Sequence, residues 1–433
     1  MYNRYPMVHI DITGAMASAI TPTRGISDQE LQSISTGLKK YVEDFLAERE
    51  KGEHAWSMNP YDKNIIQQVK ETAERAKSEK IQTVVWIGIG GSGLGPKVLQ
   101  EIFEGPNTIE FILLDTIDPA VLKLYTSIID WKQTLIVVAS KSGGTLEPMS
   151  VFSLCWSKLK KAKGDKASDR VIALTDPNTG NLRSFCLEHG ISMLPIPPNV
   201  GGRFSIFTPV GLLSLALLGG NVEAFVKGAK EMDTACQSTD VDKNPAAQLS
   251  RIQYMLDTKR DCPLRVIMPY SQQLESISRW DQQLIAESLG KNETKNPIPF
   301  SAVGTQDQHS LLQQWMAGPR QMWHLFIRIE EQPQINVTDD IEESFSYLIG
   351  KPFGDLLNAC YEGTRKALES ANRPSVTITL QRLDEENIGR LFYLFLVEVI
   401  LLGKLYRIDP YGQPAVEIGK KITKELLQEK PKT

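Results

Sequence analysis

The stretch Val84-Val85-Trp86-Ile87-Gly88-Ile89-Gly90-Gly91-Ser92-Gly93-Leu94-Gly95-Pro96 decides the fold. Its first four residues are β-branched or aromatic and read as a buried strand. The glycines let the backbone turn its N–H groups toward an anion, and the helical stretch after them adds the positive end of a helix dipole. Strand, glycine-rich loop and helix together open a βαβ unit around a phosphate cradle. Gly88, Gly90 and Gly93 also satisfy G-x-G-x-x-G, and Asp115 closes the next β-rich run, so the dinucleotide fingerprint is formally met.

Outward from this stretch the same texture repeats. Short β-rich runs at Thr83–Ile87, 109–114, Thr134–Ala139, 171–174 and 191–194 alternate with helical lengths, which implies a parallel sheet covered on both faces. An amphipathic helix over 221–236 and a polar connector, 237–244, mark a boundary. Beyond it a second series runs through Leu264–Pro269, 300–303, 324–329 and Ser375–Leu380, with helices near 245–257, 272–288, 308–316, 352–371 and 383–405. Ahead of the first sheet, Leu31, Ile34, Leu38, Tyr41, Val42 and Phe45, then Ile65, Ile66 and Val69 after Pro60, recur at helical spacing and predict two helices. A charged helix closes the chain, at about 415–429. The fold class is therefore α/β, with two doubly wound subdomains whose mostly parallel sheets are flanked by helices. Residues 80–240 form the first, with the phosphate loops; 1–79 plus 241–433 form a second, larger one.

Composition narrows the function classes. At 433 residues the chain exceeds what one core usually supports, which favours two packed units. The formal charge of −4 and the absence of a long basic run argue against a nucleic-acid partner. The five cysteines are scattered, odd in number and never spaced C-x-x-C, so they signal neither a disulfide framework nor a zinc site. Residues 1–20 lack a basic start followed by an apolar run, and apolar windows such as 207–219 are too short to span a bilayer, so a cytoplasmic protein with no membrane association is expected.

The run Thr134–Ala139 delivers a second loop, Ser140-Lys141-Ser142-Gly143-Gly144-Thr145. Hydroxyls of Ser140, Ser142 and Thr145, with exposed backbone N–H groups, suit the three oxygens of a terminal phosphate better than a bridging pyrophosphate. Two such loops on one sheet imply a compact phosphomonoester. The competing reading is a pair of tight turns in which Ser and Thr merely cap helices. No G-x-x-x-x-G-K-[ST] pattern signals a nucleotide-hydrolysing loop.

Groups able to move protons lie further along. Glu287 falls in the last turn of a helix that ends at Gly290, where the dipole disfavours its charge and suits it to act as a base; a solvated surface glutamate is the plain alternative. The loop Gly304-Thr305-Gln306-Asp307-Gln308-His309 puts His309 at a helix start beyond a β-rich run, where α/β folds place their chemistry. Arg203 in Gly201-Gly202-Arg203-Phe204-Ser205 is placed to steady an oxyanion. Lys420 is one of many lysines in the last helix, and spacing gives it no special standing.

In this order, Val200-Gly201-Gly202-Arg203-Phe204-Ser205, Glu287-Ser288-Leu289-Gly290-Lys291, Gly304 to His309, and Asp409-Pro410-Tyr411-Gly412-Gln413-Pro414-Ala415-Val416-Glu417 resemble the glucose-6-phosphate isomerase family. The resemblance implies two sugar-isomerase (SIS) subdomains assembled as a homodimer, with no metal or organic cofactor. Gly91, Ser92, Ser140, Lys141, Ser142 and Thr145 would then bind phosphate, and Gln283 and Gln413 the sugar. Glu287 would shuttle a proton between C1 and C2 through a cis-enediol, and Arg203 would steady the enediolate. His309 and Lys420 would handle ring opening, His309 reaching in from the partner subunit. Two other readings compete: a non-catalytic SIS module that senses sugar phosphate, and a dinucleotide-dependent oxidoreductase resting on Gly88, Gly90, Gly93 and Asp115.

Overall fold

Runs of valine, isoleucine and leucine with no polar alternation can pair only where both faces are covered. In the computed structural model, which describes residues 8–340 and 342–428, they form ten strands: β1 Val8–Asp11, β2 Thr83–Ile87, β3 Glu110–Leu114, β4 Thr134–Ala139, β5 Val171–Thr175, β6 Ser192–Pro195, β7 Leu264–Pro269, β8 Ile298–Ser301, β9 Met322–Ile329 and β10 Ser375–Leu380. Five strands in the order β3-β2-β4-β5-β6, all parallel, make the first sheet. Every residue of β2, β4 and β5 is buried. The second sheet runs β1-β10-β9-β7-β8, parallel except for β1. The α/β class with mostly parallel sheets and flanking helices is thus as expected.

The departures have local causes. β1 is only four residues long and lies antiparallel on the edge of a sheet whose other strands come from beyond residue 260; nothing in its own pattern marks it. β8 starts at Ile298, two residues before the expected run, because Ala302 and Val303 leave the sheet and are buried in the loop that follows. There the Val303 N–H is taken by the Asp307 carboxylate at 2.8 Å. The helix expected over 308–316 is two short ones, Gln306–Ser310 and Leu312–Ala317. The closing helix is Ala415–Gln428; the expected end at 429 lies outside the described residues.

One apolar core joins the two sheets. Its axis is the helix Glu385–Tyr406, capped by Asp384 and buried from Asn387 to Gly403. Helix Val222–Cys236 lies directly on it. A Cβ on Gly228 would stand 1.9 Å from the Glu386 carbonyl oxygen, and one on Gly389 2.0 Å from that of Phe225, so only glycine permits this approach. Packing is therefore continuous across residue 240. The helix Glu275–Leu289 turns Ile277, Trp280, Leu284, Ile285 and Leu289 into the core, which aims Gln283 and Glu287 toward the first sheet.

Candidate active site

β2 and β4 are hydrogen-bonded neighbours with Ile87 opposite Val138, so the loops 88–93 and 140–145 open side by side at the carboxyl end of one sheet. The first loop is braced by the Trp86 indole N–H, which donates to the Ser92 carbonyl at 3.0 Å. Gly90 has φ 56°, a left-handed conformation that glycine adopts freely. Its neighbour Gly91 packs against the 201–205 turn so closely that a Cβ would fall 2.1 Å from the Gly202 carbonyl carbon. A Cβ on Gly90 would lie 3.0 Å from Gln283 Nε2, which brings the loop against the helix bearing Glu287.

In the second loop the Ser140 hydroxyl is buried and meets no protein partner among the described residues. A buried hydroxyl in that state calls for a partner, which a water or a ligand can supply. Thr145 occupies the start of helix Leu146–Lys163 without making a capping bond, so the plain reading of the loop as a capped turn does not account for it. Ser142 is exposed, its hydroxyl oxygen 3.5 Å from that of Thr145 and accepting from the Gly144 N–H at 3.3 Å. Ser92 ends the 3-10 turn Gly90–Ser92. Lys141 is placed differently from a free anion ligand: its ammonium donates to the carbonyls of Pro198 and Val200, tying this loop to the segment that leads into Arg203. Burial pulls its pKa below the usual lysine value.

Arg203 is 3% exposed, and all five of its N–H donors are placed. Nε donates to Ser288 Oγ (2.8 Å), Nη1 to Glu287 Oε2 (3.1 Å) and Gln413 Oε1 (2.8 Å), and Nη2 to the carbonyls of Pro410 (2.7 Å) and Gly412 (3.3 Å). Burial lowers its pKa and the Glu287 carboxylate opposes that shift; an arginine stays charged regardless. Glu287 accepts a second bond from Gln283 Nε2 at 2.8 Å, and its side chain remains 28% exposed, so a carboxylate edge faces the opening. The Oε1 of Gln283 is buried with no protein partner among the described residues.

The motif reading gives Lys291 and Ser288 no role beyond being neighbours of Glu287. In the structure Lys291 Nζ donates to the carbonyls of Asp409 (2.7 Å) and Tyr411 (2.6 Å). Two cations therefore hold four consecutive carbonyls alternately, Lys291 taking 409 and 411 and Arg203 taking 410 and 412. Burial first, then the nearby Arg203 charge, depress the Lys291 pKa. A Gly-Lys pair just past a helix end is the one sequence signal for it.

Of the expected residues, Arg203, Gln283, Glu287 and Gln413 are thus gathered beside Gly91 and the two loops. His309 and Lys420 are not. His309 is exposed on Gln306–Ser310, and Lys420 lies on an exposed helix with Nζ 2.7 Å from Glu417. Among the described residues no group of three or more His, Cys, Asp or Glu side chains is arranged to hold a metal ion, and no helix is long and apolar enough to cross a membrane.

Two mostly parallel sheets meeting where two glycine- and hydroxyl-bearing loops confront a carboxylate held by a buried arginine place the protein in the class of α/β sugar isomerases. The phosphoglucose isomerase family model matches residues 53–433. The chain belongs to that family. It is 35% identical to the glucose-6-phosphate isomerase of Rubrobacter xylanophilus over 95% of this chain and 97% of that one. The crystal structure of a hypothetical protein from Thermus thermophilus superposes with a TM-score of 0.89 at 28% identity, covering 98% of this chain and 100% of the other. A glucose-6-phosphate isomerase structure from Chlamydia trachomatis has the same fold, with a TM-score of 0.80 at 22% identity over 94% and 88% of the two chains.

Proposed function

We propose that the chain interconverts glucose 6-phosphate and fructose 6-phosphate. Loops 88–93 and 140–145 hold the phosphate, with the buried Ser140 hydroxyl as an anchor. At the other end of the cleft Glu287 removes the proton from C2 of the open-chain aldose. The C2–H electrons form the C1=C2 bond, and the carbonyl oxygen takes up a proton to give the cis-enediol. Return of a proton to C1 and loss of the O2 proton then produce the ketose. Arg203, already beside the carboxylate, offers positive charge where oxygen becomes negative. The observation that carries this reading is the 3.1 Å approach of Arg203 to Glu287, set against two anion loops that reach the same helix through Gly90 and Gln283.

Ring opening is assigned to His309 and Lys420, which this single chain does not bring to Glu287. A homodimer would let His309 of one subunit complete the site of the other. An apolar set exposed on one excursion of the chain, Ile335, Phe345, Tyr347, Ile349 and Phe353, supports such an assembly. A cytoplasmic setting accords with the sugar-phosphate substrate and with the free cysteines, four of five of them buried.

A coupled assay for glucose 6-phosphate formed from fructose 6-phosphate tests the proposal. Glu287→Gln is expected to lower kcat by about 10²–10⁴-fold, with substrate affinity kept by the loops. Full turnover in that variant removes Glu287 from the base role. Binding without turnover in the wild type favours the sensing module. The dinucleotide reading is not favoured, because the family model and the curated relatives are isomerases; a nicotinamide fluorescence titration should show no binding.

A further inference from the structure

His54 is a buried histidine for which the isomerase chemistry above has no use. It is 8% exposed, with a left-handed backbone at φ 53°. Its Nε2 lies 2.9 Å from Glu48 Oε2, and Lys404 Nζ donates to both oxygens of that carboxylate at 2.6 Å. Its Nδ1 lies 2.5 Å from the Tyr411 hydroxyl, which is also 2.9 Å from the Trp56 indole nitrogen.

The proton positions follow by elimination. A carboxylate only accepts, so Nε2 carries hydrogen, and in the neutral ring that burial favours Nδ1 is then the lone pair. Tyr411 must then donate its O–H to Nδ1, and its oxygen accepts from Trp56, whose N–H can only donate. Every polar atom in the chain from Lys404 through Glu48, His54 and Tyr411 to Trp56 is matched when His54 is neutral. Burial pulls its pKa below the ordinary histidine value; Glu48 and Glu53 oppose that and Lys404 assists it.

The other end of this chain is the active site. The Tyr411 ring packs on Phe204, centroids 5.3 Å apart, and Phe204 stacks on Trp56 at 5.8 Å. The backbone of the same tyrosine lies in the 409–412 turn whose carbonyls Lys291 and Arg203 grip alternately. The turn is thus pinned from inside by two cations and from outside by one hydroxyl. We propose that Glu48, His54 and Tyr411 form a positioning relay that sets the 409–413 turn and, through it, the place of Arg203 and Gln413 beside Glu287. In this proposal none of the three acts on the substrate directly. Their influence is on geometry, to which a proton transfer between fixed groups is steeply sensitive.

The proposal rests on the isomerase reading, so the wild type is assayed first; an inactive wild type overturns that reading and this one with it. With an active wild type, Tyr411→Phe removes the hydroxyl and keeps the ring on Phe204. His54→Gly removes the imidazole at a backbone angle that glycine adopts without strain. Each is expected to lower kcat about tenfold, the worth of one buried hydrogen bond, while KM for fructose 6-phosphate stays within about twofold because the phosphate loops are untouched. Added imidazole should restore kcat in His54→Gly and do nothing for Tyr411→Phe. The loss in Tyr411→Phe combined with Lys291→Met should be less than the product of the single losses, since both act through one turn. Unchanged kcat per folded molecule in both single variants, with only the unfolding midpoint lowered, would show a structural pillar and overturn the proposal.

Discussion

Arg203 and Glu287 meet at 3.1 Å although 84 residues separate them, one rising from the turn beyond the first sheet and the other from a helix of the second. Their pairing joins the two sheet units at the proposed active site. Because Arg203 also holds Ser288, Gln413 and two backbone carbonyls, its position is over-determined by the surrounding fold. The guanidinium is therefore held in place by the fold itself, which is what the oxyanion role proposed for it would require.

Replacing that guanidinium with an ammonium keeps the charge and discards the fork. Arg203→Lys is expected to lower kcat by roughly 10²–10³-fold. It should also destabilise the protein by about 1–3 kcal/mol, since an ammonium has fewer donors than the guanidinium's acceptors need and leaves buried ones unsatisfied. Steady-state kinetics and urea unfolding on the same preparation check both.

Gly91 tests whether the first anion loop must touch the 201–205 turn. The Cβ of Gly91→Ala would lie 2.1 Å from the Gly202 carbonyl carbon, and backbone on backbone cannot yield as a flexible side chain would. Loop and turn must separate, so the variant should raise KM and lower kcat together. Gly105→Ala, where nothing lies within 4 Å, serves as the control and should behave as wild type.

The second loop should act on binding alone. Ser142→Ala with Thr145→Ala removes two hydroxyls from an anion site, each worth about 1.5–3 kcal/mol when the partner is charged. KM for fructose 6-phosphate is expected to rise about 10²-fold or more with kcat little changed, and inhibition by inorganic phosphate should weaken in parallel.

Beneath the catalytic helix, Arg265 serves two carboxylates at once, Asp281 at 2.9 Å and Glu398 at 2.5 Å, all three side chains wholly buried. Burial raises both carboxyl pKa values, to about 6 for Asp281 and about 7 for Glu398, with Arg265 opposing. One cation cannot balance two anions, so the cluster favours keeping a proton. Glu398→Gln supplies a neutral isostere and should cost less than about 1 kcal/mol. Arg265→Met strands both acids and should cost about 3–5 kcal/mol. Thermal unfolding at neutral pH distinguishes the two.

Acid should act through His324, whose buried ring has no hydrogen-bond partner on either nitrogen among the described residues and lies between Trp315 and Phe326. Burial first, then Arg373, lowers its pKa to about 3. Below the unfolded value of about 6.5 the unfolded chain takes a proton that the native chain refuses. Stability is therefore full above that pH and falls by up to about 1.4 kcal/mol per unit as the pH drops toward 3. Asp281 and Glu398, raised in the native state, act in the opposite sense. The effect of His324 is thus read as a difference: His324→Phe should lose less stability than wild type between pH 6.5 and 4.

Sequence discloses the parts of this molecule that are written locally. The buried strands of the first sheet are continuous apolar runs, and the glycines at 88–93 mark their loop whatever surrounds them. Arg203, Glu287, Gln283 and Gln413 are legible as short motifs, but their meeting is not, because no local pattern encodes a contact between residues 203 and 413. His54 is invisible for the same reason: its partner lies 357 residues away. β1 escapes because four residues on a sheet edge carry too little periodicity to register, and β8 is misplaced because its buried residues belong to the loop after it. Lys291 sits inside a quoted motif, yet only the alternating grip on the 409–412 carbonyls shows what it does.

The pairing of β1 with β10, Val8 against Leu380, reaches from near one end of the chain to near the other. During synthesis the earliest strand emerges from the ribosome well before the strand it must join, by about 20–75 s at typical elongation rates of 5–20 residues per second. The first sheet can assemble in that interval, since all its strands are made by residue 195. The second cannot close its edge until Leu380 has been made, so Val8–Asp11 must wait unpaired through the synthesis of every strand between them.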